Sequence, residues 1–416
     1  MVQKFGGTSV ADAERIKRVA DRVVAAADRG GRVCVVVSAM GDTTDRLLDL
    51  AAEIAPNPHA RELDVLLTAG ERISMSLLSM AINELGREAV SFTGRQAGIV
   101  TDDRHGRARI LEVRSGLVEE TLAAGKVAIV AGFQGESAQA AVTTLGRGGS
   151  DATAVALAAA LGAEACEIYT DVEGVFTADP RLVPEARKLD ALSFEEMLEL
   201  AASGAGVLMA RSVEYARNHG VVVHVRSSFD DREGTWIGRE EEELAEHPII
   251  SGIAHDTSEA EVTLVAVPDR PGVAATVFRP LADAGINVDM IVQTVSTAGT
   301  TDVTFTVPKE DLDRAEPILE AIVRSVGGQG FTTDPEVAKV SLIGAGMKTH
   351  PGIAADMFEA LADAGINIGI ISTSAIRISC VVKASEVQRA VQAVHTRFRL
   401  AEPQVSTEAP ASSPAE

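Results

Sequence analysis

Residues 144–161 read TLGRGGSDATAVALAAAL, a glycine-rich loop followed at once by an alanine-rich stretch of helical character. Five residues of the loop stand where that helix begins: Arg147, Gly148, Gly149, Ser150 and Asp151. Ser150 or Asp151 could cap the helix, but a cap does not account for an arginine beside two glycines. Arginine suits bidentate capture of a carboxylate, and a second anion can sit on the free N–H groups of a helix start. The loop therefore predicts an anion-binding site.

The sequence around this loop alternates short β-rich runs with longer Ala/Leu-rich segments, which is typical of a mostly parallel sheet flanked by helices. VCVVV at 33–37 and VAIVA at 127–131 are predicted strands, and helices are predicted over 11–28, 63–85 and 151–162. The strands end in small polar or glycine-rich stretches, namely KFGGTS, SAMGDTTD and GFQG. Ligands collect at the carboxyl ends of strands in such sheets, so these loops are candidate site material.

A second anion-binding pattern lies near the N-terminus, where VQKFGGTSV places Lys4 and two glycines between a first strand and a helix. Glycines let backbone N–H groups approach a phosphate, and the lysine adds a full positive charge. Taken alone, the pattern fits a tight turn with a surface lysine equally well. No Walker A loop and no Rossmann glycine fingerprint follows any strand.

Composition narrows the class of protein. The formal charge of -22 argues against binding a polyanion over a broad face, so no nucleic-acid partner is expected. No window of 18 consecutive apolar residues and no signal peptide are found, which predicts a cytoplasmic protein without a membrane partner. Cys34, Cys166 and Cys380 lie far apart in apolar runs and are predicted to be buried and reduced. The histidines show no metal-ligand spacing, so no protein-built metal site is predicted.

An internal repeat occupies the second half. RPGVAATVFRPLADAGINV at 270–288 is echoed 80 residues later by HPGIAADMFEALADAGINI at 350–368. Each copy predicts a helix after Pro-Gly, a Gly-Ile-Asn turn and a β-rich run, and further strands precede the copies at 261–267 and 339–344. This βαββαβ order is that of a ferredoxin-like unit, so two such units side by side are predicted.

The predicted domain boundary lies in the turn-rich, acidic stretch at 230–248. The resulting division is a first domain at 1–245, two repeat domains at 246–335 and 336–402, and a disordered tail at 403–416.

Seven segments of the chain, in this order, closely resemble the aspartate kinases of the amino-acid kinase superfamily: KFGGTSV, VSAMGDTTD, LLTAGERIS, GFQG, TLGRGGSDATA, YTDVEGVFTADPR and RSVEYA. The repeats resemble the family's tandem ACT domains. The resemblance implies an α/β fold, a three-layer αβα sandwich followed by two ferredoxin-like domains. It also implies transfer of the γ-phosphate of ATP to the side-chain carboxylate of aspartate, the first step toward lysine, threonine and methionine.

In this family, the lysine of KFGG neutralises the transferring phosphoryl group, which implies that role for Lys4, while Asp151 orients the reacting centre. A β-carboxylate has a pKa near 4 and is already ionised at pH 7, so no base is required. Its difficulty is repulsion from ATP, which cations relieve, namely Lys4 and Mg²⁺ bound mainly through the nucleotide phosphates.

The resemblance also assigns ligand contacts. Glu71 would hold the α-ammonium of aspartate and Arg147 its α-carboxylate. Without the resemblance, Glu71 would be interpreted as a solvated carboxylate at a helix start, and the family match disfavours that alternative. The implied aspartate-binding residues are Ser38, Thr44, Glu71, Phe133, Arg147, Gly148, Gly149 and Ser150. The implied ATP-binding residues are Lys4, Phe5, Gly6, Gly7, Thr170, Asp171, Phe176, Thr177, Ala178, Asp179, Pro180 and Arg181. Phe176 could instead be a core residue.

Effector amino acids, threonine or lysine or both, would bind at the ACT repeats, and a homodimer paired through these repeats is expected. The implied effector-binding residues are Asn287, Val288, Asp289, Gln293, Ile353, Ala354, Asn367, Ile368, Ser374 and Ala375. A turn-forming role is the alternative for the Gly-Ile-Asn residues.

The chain departs from the family pattern at three positions. Gly206 stands where a nucleotide-contacting lysine is usual, which predicts weaker ATP binding. Gly369 and Ala375 replace two carboxylates of ELISTSEIR, which predicts a weakened response to lysine.

Two other functions remain open from the sequence. The first is a kinase of the same fold acting on another carboxylate, such as an acetylglutamate or glutamate 5-kinase, which the tandem repeats and LLTAGERIS disfavour. The second is a non-catalytic amino-acid sensor, which has no need for Lys4, Arg147 and Asp151.

Overall fold

The computed structural model describes residues 1–238, 250–293 and 299–402. These residues form two compact units. The first holds residues 1–175, 188–202 and 206–238, and the second holds 176–187, 203–205 and the described chain from 250 onward. The boundary predicted at 245 and the tail predicted from 403 lie outside the described residues.

The first unit is built from alternating strands and helices. Its strands are β1 Val2–Phe5, β2 Cys34–Val37, β3 Ala89–Phe92, β4 Ile99–Thr101, β5 Ile110–Val113, β6 Val127–Ala131, β7 Gln134–Ser137, β8 Val142–Thr144, β9 Cys166–Thr170, β10 Ala191–Leu192, β11 Val223–Ser227 and β12 Thr235–Ile237. Its helices are α1 Ala13–Asp28, α2 Thr43–Ile54, α3 Ala60–Leu67, α4 Ala69–Glu84, α5 Gly116–Ala123, α6 Gly149–Ala160, α7 Phe194–Ala202 and α8 Ala210–His219.

The main sheet of the first unit has the strand order β10-β12-β11-β9-β1-β2-β6-β3, and a smaller sheet has the order β5-β4-β7-β8. Neighbours in the main sheet run parallel, except that β11 and β12 are antiparallel. Every residue of β1, β2 and β6 is buried, as expected for strands covered on both faces. The predicted mostly parallel sheet is confirmed.

Helices cover the two faces of the main sheet. Phe5 on β1 packs in the core that α1 and α4 share with β2 and β6. The neighbouring residue Lys4 points to the opposite face, where it meets Asp151 on α6, because successive side chains of a strand alternate between faces. The helices predicted over 11–28 and 151–162 are confirmed, whereas the one predicted over 63–85 is split at Thr68 into α3 and α4.

In the described part of the chain, Ala60–Glu84 is the one helical stretch that is long and apolar enough to cross a membrane. This criterion considers only length and composition, and an apolar helix in a protein core also satisfies it. Met75, Leu78 and Ile82 on α4 belong to the core beneath the main sheet, which explains the apolar composition. Cys34, Cys166 and Cys380 are buried and free, as predicted.

The second unit contains two sheets of four strands. The first repeat follows the predicted order, with β14 Glu259–Pro268, α9 Val273–Asp283, β15 Ile291–Gln293, β16 Thr300–Pro308, α10 Leu312–Val326 and β17 Gly330–Asp334. The second repeat comprises β18 Val337–Ile343, α11 Ile353–Asp363, β19 Ile370–Thr373, β20 Arg377–Lys383 and α12 Val387–Arg397.

One strand corrects the predicted chain order. The preceding strand β13, Gly252–Asp256, pairs antiparallel with β18 and gives the second sheet the order β13-β18-β20-β19. The second repeat therefore takes its fourth strand from the chain before the first repeat, although the predicted boundaries placed 246–335 in the first repeat alone. No strand follows α12 in the described residues, so β13 fills the edge of β18 that would otherwise be unpaired.

Candidate active site

The centre of the site is an ion pair between the end of β1 and the start of α6. The ammonium Nζ of Lys4 lies 2.6 Å from the carboxylate Oδ1 of Asp151, and the two side chains are only 11% and 10% exposed. Asp151 stands in the first turn of α6, where the helix dipole favours a negative charge. Gly148, the residue before this helix, has a φ of 68°, a left-handed conformation that glycine adopts without strain.

Gly7, three residues after Lys4, allows the loop after β1 to lie close to the loop after β2. A Cβ atom on Gly7 would lie 3.0 Å from the carbonyl oxygen of Ala39, so a larger residue would push the loops apart. Across the same gap, the N–H of Gly41 donates to the carbonyl of Gly7, and the N–H of Ser38 donates to the carbonyl of Phe5. The predicted residues Gly6, Gly7 and Ser38 thus stand on adjoining loops, and Thr44 follows in the first turn of α2.

Glu71 on α4 is the second acidic group at these loops. Its side chain is 3% exposed, and its Oε1 accepts a hydrogen bond from the N–H of Ala39 at 3.1 Å. Its Oε2 is buried and finds no hydrogen-bond partner among the described residues. Burial raises the pKa of the Glu71 carboxyl to about 7, against the opposing effect of hydrogen bonds from backbone N–H groups. A cation placed against Oε2 would offset the free-energy cost of burying the ionised carboxylate, so the geometry suits an ammonium group.

The turn between β6 and β7 packs directly on the glycine-rich loop. A Cβ atom on Gly132 would lie 2.7 Å from the Oγ of Ser150, and one on Gly149 would lie 2.9 Å from the ring of Phe133. Phe133 has a φ of 67°, which is unusual for a residue other than glycine and is found at strained functional turns. Arg147 is exposed and forms no hydrogen bond or ion pair within the described chain. Phe133, Gly149 and Ser150 therefore come together as predicted neighbours.

The predicted ATP-binding residues are divided between the two units. In the first unit, Thr170 and Asp171 follow β9, the strand next to β1, and the Thr170 hydroxyl donates to the Asp171 carboxylate at 3.1 Å. The ring of Phe5 is fully buried and stacks on Tyr169 with centroids 4.7 Å apart, so its side chain belongs to the core.

The remaining predicted nucleotide residues, 176–181, belong to the second unit. There the Thr177 hydroxyl is hydrogen-bonded to the Nε2 of His395 at 3.0 Å, and Ala178 is buried in the core of the second repeat. Asp179 pairs with Arg181 at 2.7 Å, and this hydrogen bond lowers the pKa of the Asp179 carboxyl. Phe176 is half-buried and Pro180 is exposed. These contacts support the fold of the second unit, and nucleotide binding by these residues stays a prediction.

Comparisons with known proteins decide between the kinases that share this fold. The sequence model of the amino acid kinase family matches residues 1–227, and ACT-domain models match 262–324 and 340–398. A protein named aspartokinase from Mycobacterium tuberculosis is 57% identical over 404 residues, which cover 96% of each chain. The chain belongs to the aspartokinases. It is therefore an aspartate kinase that uses ATP, and the acetylglutamate, glutamate and pure-sensor alternatives are set aside.

Solved aspartokinase structures agree with this assignment. Escherichia coli aspartokinase III in complex with aspartate and ADP, described as the R-state, has a TM-score of 0.81 at 28% identity and covers 95% of this chain. The same enzyme with lysine and aspartate, described as the T-state, has a TM-score of 0.72. Both structures are covered to 99% by this aspartokinase chain.

The predicted effector residues of this aspartokinase fall into two groups. Val288, Ile353, Ala354 and Ile368 pack against the cores of their repeats. Six others lie at the surface: Asn287, Asp289, Gln293, Asn367, Ser374 and Ala375.

Sequence reasoning missed the residue that holds Asp289. Lys339, at the centre of β18, is 2% exposed, and its Nζ lies 2.6 Å from both the Asp289 and the Glu259 carboxylates. Burial lowers the pKa of Lys339, but attraction to Glu259 and hydrogen bonds to both carboxylates outweigh it, so the pKa is raised overall. The signal was a lone lysine inside the apolar run of a predicted strand.

Proposed function

We propose that aspartate binds between the loops of the first unit with its α-ammonium on Glu71 and its α-carboxylate on Arg147. The buried Oε2 of Glu71, which has no partner among the described residues, carries this proposal. Arg147 lies in the glycine-rich loop two residues before Gly149, which packs on Phe133, and its guanidinium forms no hydrogen bond or ion pair within the described chain. Two opposite charges then match the two α-substituents of an amino acid and leave the side-chain carboxylate to react.

In the proposed reaction, an oxygen of the side-chain carboxylate bonds to the γ-phosphorus of ATP, and the bond from that phosphorus to the β–γ bridging oxygen breaks. ADP leaves with the electron pair. The acceptor is already ionised, so no proton has to be removed and charge neutralisation is the main task. Lys4 supplies a cation for this, and Asp151, 2.6 Å away, holds the ammonium in place.

We propose that Mg²⁺ enters with the nucleotide and is held mainly by its phosphates. The described residues contain no group of three or more His, Cys, Asp or Glu side chains that could hold a metal ion. The carboxylate of Asp151 is already paired with the ammonium of Lys4. Bound Mg²⁺ would supply further positive charge on the phosphates, while the chain's own residues bind and orient the acceptor.

We also propose that ATP binds more weakly to this enzyme because Gly206 replaces a nucleotide-contacting lysine. A Cβ atom on Gly206 would meet no atom within 4 Å, so the structure has room for the lysine usual at this position. The missing cation is therefore a difference in ligand binding rather than a packing requirement.

The pH dependence of aspartate binding follows from Glu71. Below pH 7 its carboxyl is protonated and loses its charge, while the α-ammonium of aspartate keeps its own. We expect kcat/KM for aspartate to rise about tenfold between pH 6 and pH 8 and then to level off, because this ratio reports the free enzyme. Steady-state assays across this range measure it.

The matched variant for this titration is Glu71→Gln, which keeps the shape of the side chain and removes its charge. Its kcat/KM is expected to be low and flat across the same range. A wild-type profile that is flat between pH 6 and pH 8 would contradict the assignment of Glu71.

We propose that the ACT repeats regulate the enzyme, with a response to threonine that is retained and a response to lysine that is weakened. The lysine-bound E. coli relative shows that an aspartokinase of this architecture binds that amino acid. Here, positions 369 and 375 carry no carboxylate for a lysine ε-ammonium. Asp289, the acidic residue among the predicted effector-binding residues, is already paired with Lys339. A cationic effector would have to compete with that pair, whereas a neutral one would not.

The test is a hydroxamate assay for aspartyl phosphate with threonine alone, lysine alone and both together. Threonine is expected to inhibit, and lysine alone is expected to have little effect. Strong concerted inhibition at micromolar concentrations would overturn the proposal.

A restoring variant of the lysine site must take account of Glu261, whose Oε2 lies 3.7 Å from the position of a Cβ on Gly369. A carboxylate restored at 369 would face a second one. We therefore expect Gly369→Glu to restore the lysine response only together with Glu261→Gln.

We further propose that the enzyme acts in the cytoplasm as a homodimer paired through the ACT repeats, in the pathway to lysine, threonine and methionine. The identity to aspartokinases over 96% of the chain supports this assignment. Size-exclusion chromatography with light scattering measures the oligomeric state, and a monomer would count against the dimer.

A further inference from the structure

A buried acidic group outside the ligand-binding residues holds the glycine-rich loop in place. Asp64 on α3 is 1% exposed. It accepts a hydrogen bond from the Thr144 hydroxyl at 2.5 Å and one from the N–H of Gly106 at 3.0 Å, and it is hydrogen-bonded to the Nδ1 of His105 at 2.6 Å. Burying a carboxylate is costly unless several donors satisfy it, so these three partners stabilise one another's positions.

The hydrogen bonds of Asp64 connect two neighbouring segments, residues 105–108 and residues 144–146, and the second of these leads into the glycine-rich loop. The N–H of Ala108 donates to the carbonyl of Thr144 at 2.9 Å. The guanidinium of Arg211 donates to the carbonyls of Leu145 and Ala108 at 2.9 and 2.7 Å. A Cβ atom on Gly146, whose φ is 76°, would lie 3.0 Å from the carbonyl oxygen of Gly106. Residues 144–146, which end directly before Arg147, are therefore held by the 106–108 segment and by Arg211.

Arg147 itself is exposed and has no polar partner in the described chain, so its place depends on the ends of its loop. The far end is held by α6, where the N–H of Gly149 donates to the carbonyl of Gly146 and the N–H of Ala152 to that of Gly148. The near end is held by Thr144, and Thr144 is held by Asp64. Within the described chain, the Asp64 carboxylate forms hydrogen bonds or ion pairs with His105, Gly106 and Thr144, and with none of the proposed ligand-binding side chains.

We propose that Asp64 is a positioning residue for aspartate, acting through Thr144 and the 105–108 segment to set the place of Arg147. This inference rests on the proposed role of Arg147. A small displacement of the Arg147 guanidinium would weaken the binding of aspartate, whereas the binding of ATP, which uses other loops, would be unaffected. The KM for aspartate therefore depends on Asp64, and the KM for ATP does not.

The experiment measures both KM values for Asp64→Asn, Thr144→Val and Thr144→Ser, with Glu62→Gln on the exposed side of α3 as the control. Asp64→Asn is expected to raise the KM for aspartate at least tenfold and to leave the KM for ATP within twofold. Thr144→Val is expected to raise it severalfold, while Thr144→Ser, which keeps the hydroxyl, and Glu62→Gln stay within twofold. Should Asp64→Asn fail to fold, the Thr144 pair decides the question.

A purely structural role predicts a different pattern, namely a lower melting temperature and less active protein with both KM values unchanged. That pattern would overturn the inference. Arg147→Ala separates the two proposals. If it raises the KM for aspartate and the Asp64 and Thr144 variants do not, only the inference fails. If it leaves the KM unchanged, the proposed role of Arg147 fails and the inference with it.

Discussion

Replacing Lys4 with alanine is expected to lower kcat for aspartate phosphorylation by a factor of about 10³, equivalent to roughly 4 kcal/mol of barrier. The reaction joins a carboxylate to a triphosphate, so repulsion between anions is the main obstacle. Lys4 is a cation near the carboxyl end of the interior strand β1, beside the α6 N-terminus, and its side chain is 11% exposed, so water screens its charge only weakly. Steady-state kinetics with saturating ATP and Mg²⁺ measure the effect.

The control for this variant must separate catalysis from folding, because Lys4→Ala leaves the Asp151 carboxylate buried without its partner. Removing one member of a buried pair destabilises a protein by about 3–5 kcal/mol. The double variant Lys4→Met with Asp151→Asn removes both charges and is expected to keep its melting temperature while remaining inactive. Lys17→Ala, which removes an exposed lysine paired with Glu14, is expected to leave kcat unchanged. Turnover of Lys4→Ala within tenfold of wild type, about 1.4 kcal/mol, would rule out the proposed mechanism.

Replacing Arg147 with alanine is expected to raise the KM for aspartate about 100-fold, equivalent to roughly 2.7 kcal/mol. The guanidinium would form two charge-assisted hydrogen bonds with the α-carboxylate, and alanine forms none. Because Arg147 is exposed and forms no polar contact within the described chain, its removal should not change the melting temperature. Kinetics with varied aspartate at saturating ATP measure the effect.

Two matched variants test whether the loss is specific. Arg147→Lys keeps the charge but not the planar pair of donors, so an intermediate KM is expected. Arg18→Ala removes an exposed arginine of α1 and should change nothing. A KM for aspartate that stays within threefold in Arg147→Ala would mean that another group binds the α-carboxylate.

Local patterns in the sequence were sufficient to predict most of the fold. The runs at 33–37 and 127–131 became adjacent parallel strands, and the glycine-rich loops stand at the strand ends where parallel sheets place their ligands. The repeated segments predicted two similar ferredoxin-like domains because each copy carries its own helix and turn. These features depend on residues close together in the chain, which is why periodicity and turn residues reveal them.

Contacts between distant segments were beyond the reach of such patterns. The strand β13 pairs with β18, which begins about 80 residues later, and nothing in 252–256 indicates which edge it pairs with. Thr177 belongs to a segment that predicted nucleotide binding, yet its hydroxyl meets His395, 218 residues away. Asp64 reads as an ordinary polar residue of an amphipathic helix until the fold brings His105 and Thr144 to it.

The proposed binding of aspartate between Glu71 and Arg147 is tested by comparing aspartate with two substrates that each lack one of its α-substituents. Succinate lacks the α-ammonium, and β-alanine lacks the α-carboxylate. Hydroxamate trapping of the acyl phosphate gives kcat/KM for all three, in the wild type and in Arg147→Ala.

Succinate and β-alanine are each expected to react at least 100-fold less efficiently than aspartate in the wild type. The penalty for β-alanine is expected nearly to disappear in Arg147→Ala, because the substrate and the variant lose the same interaction. Efficient reaction of succinate or β-alanine in the wild type, or a penalty for β-alanine that persists undiminished in Arg147→Ala, would contradict the proposed arrangement of aspartate between Glu71 and Arg147.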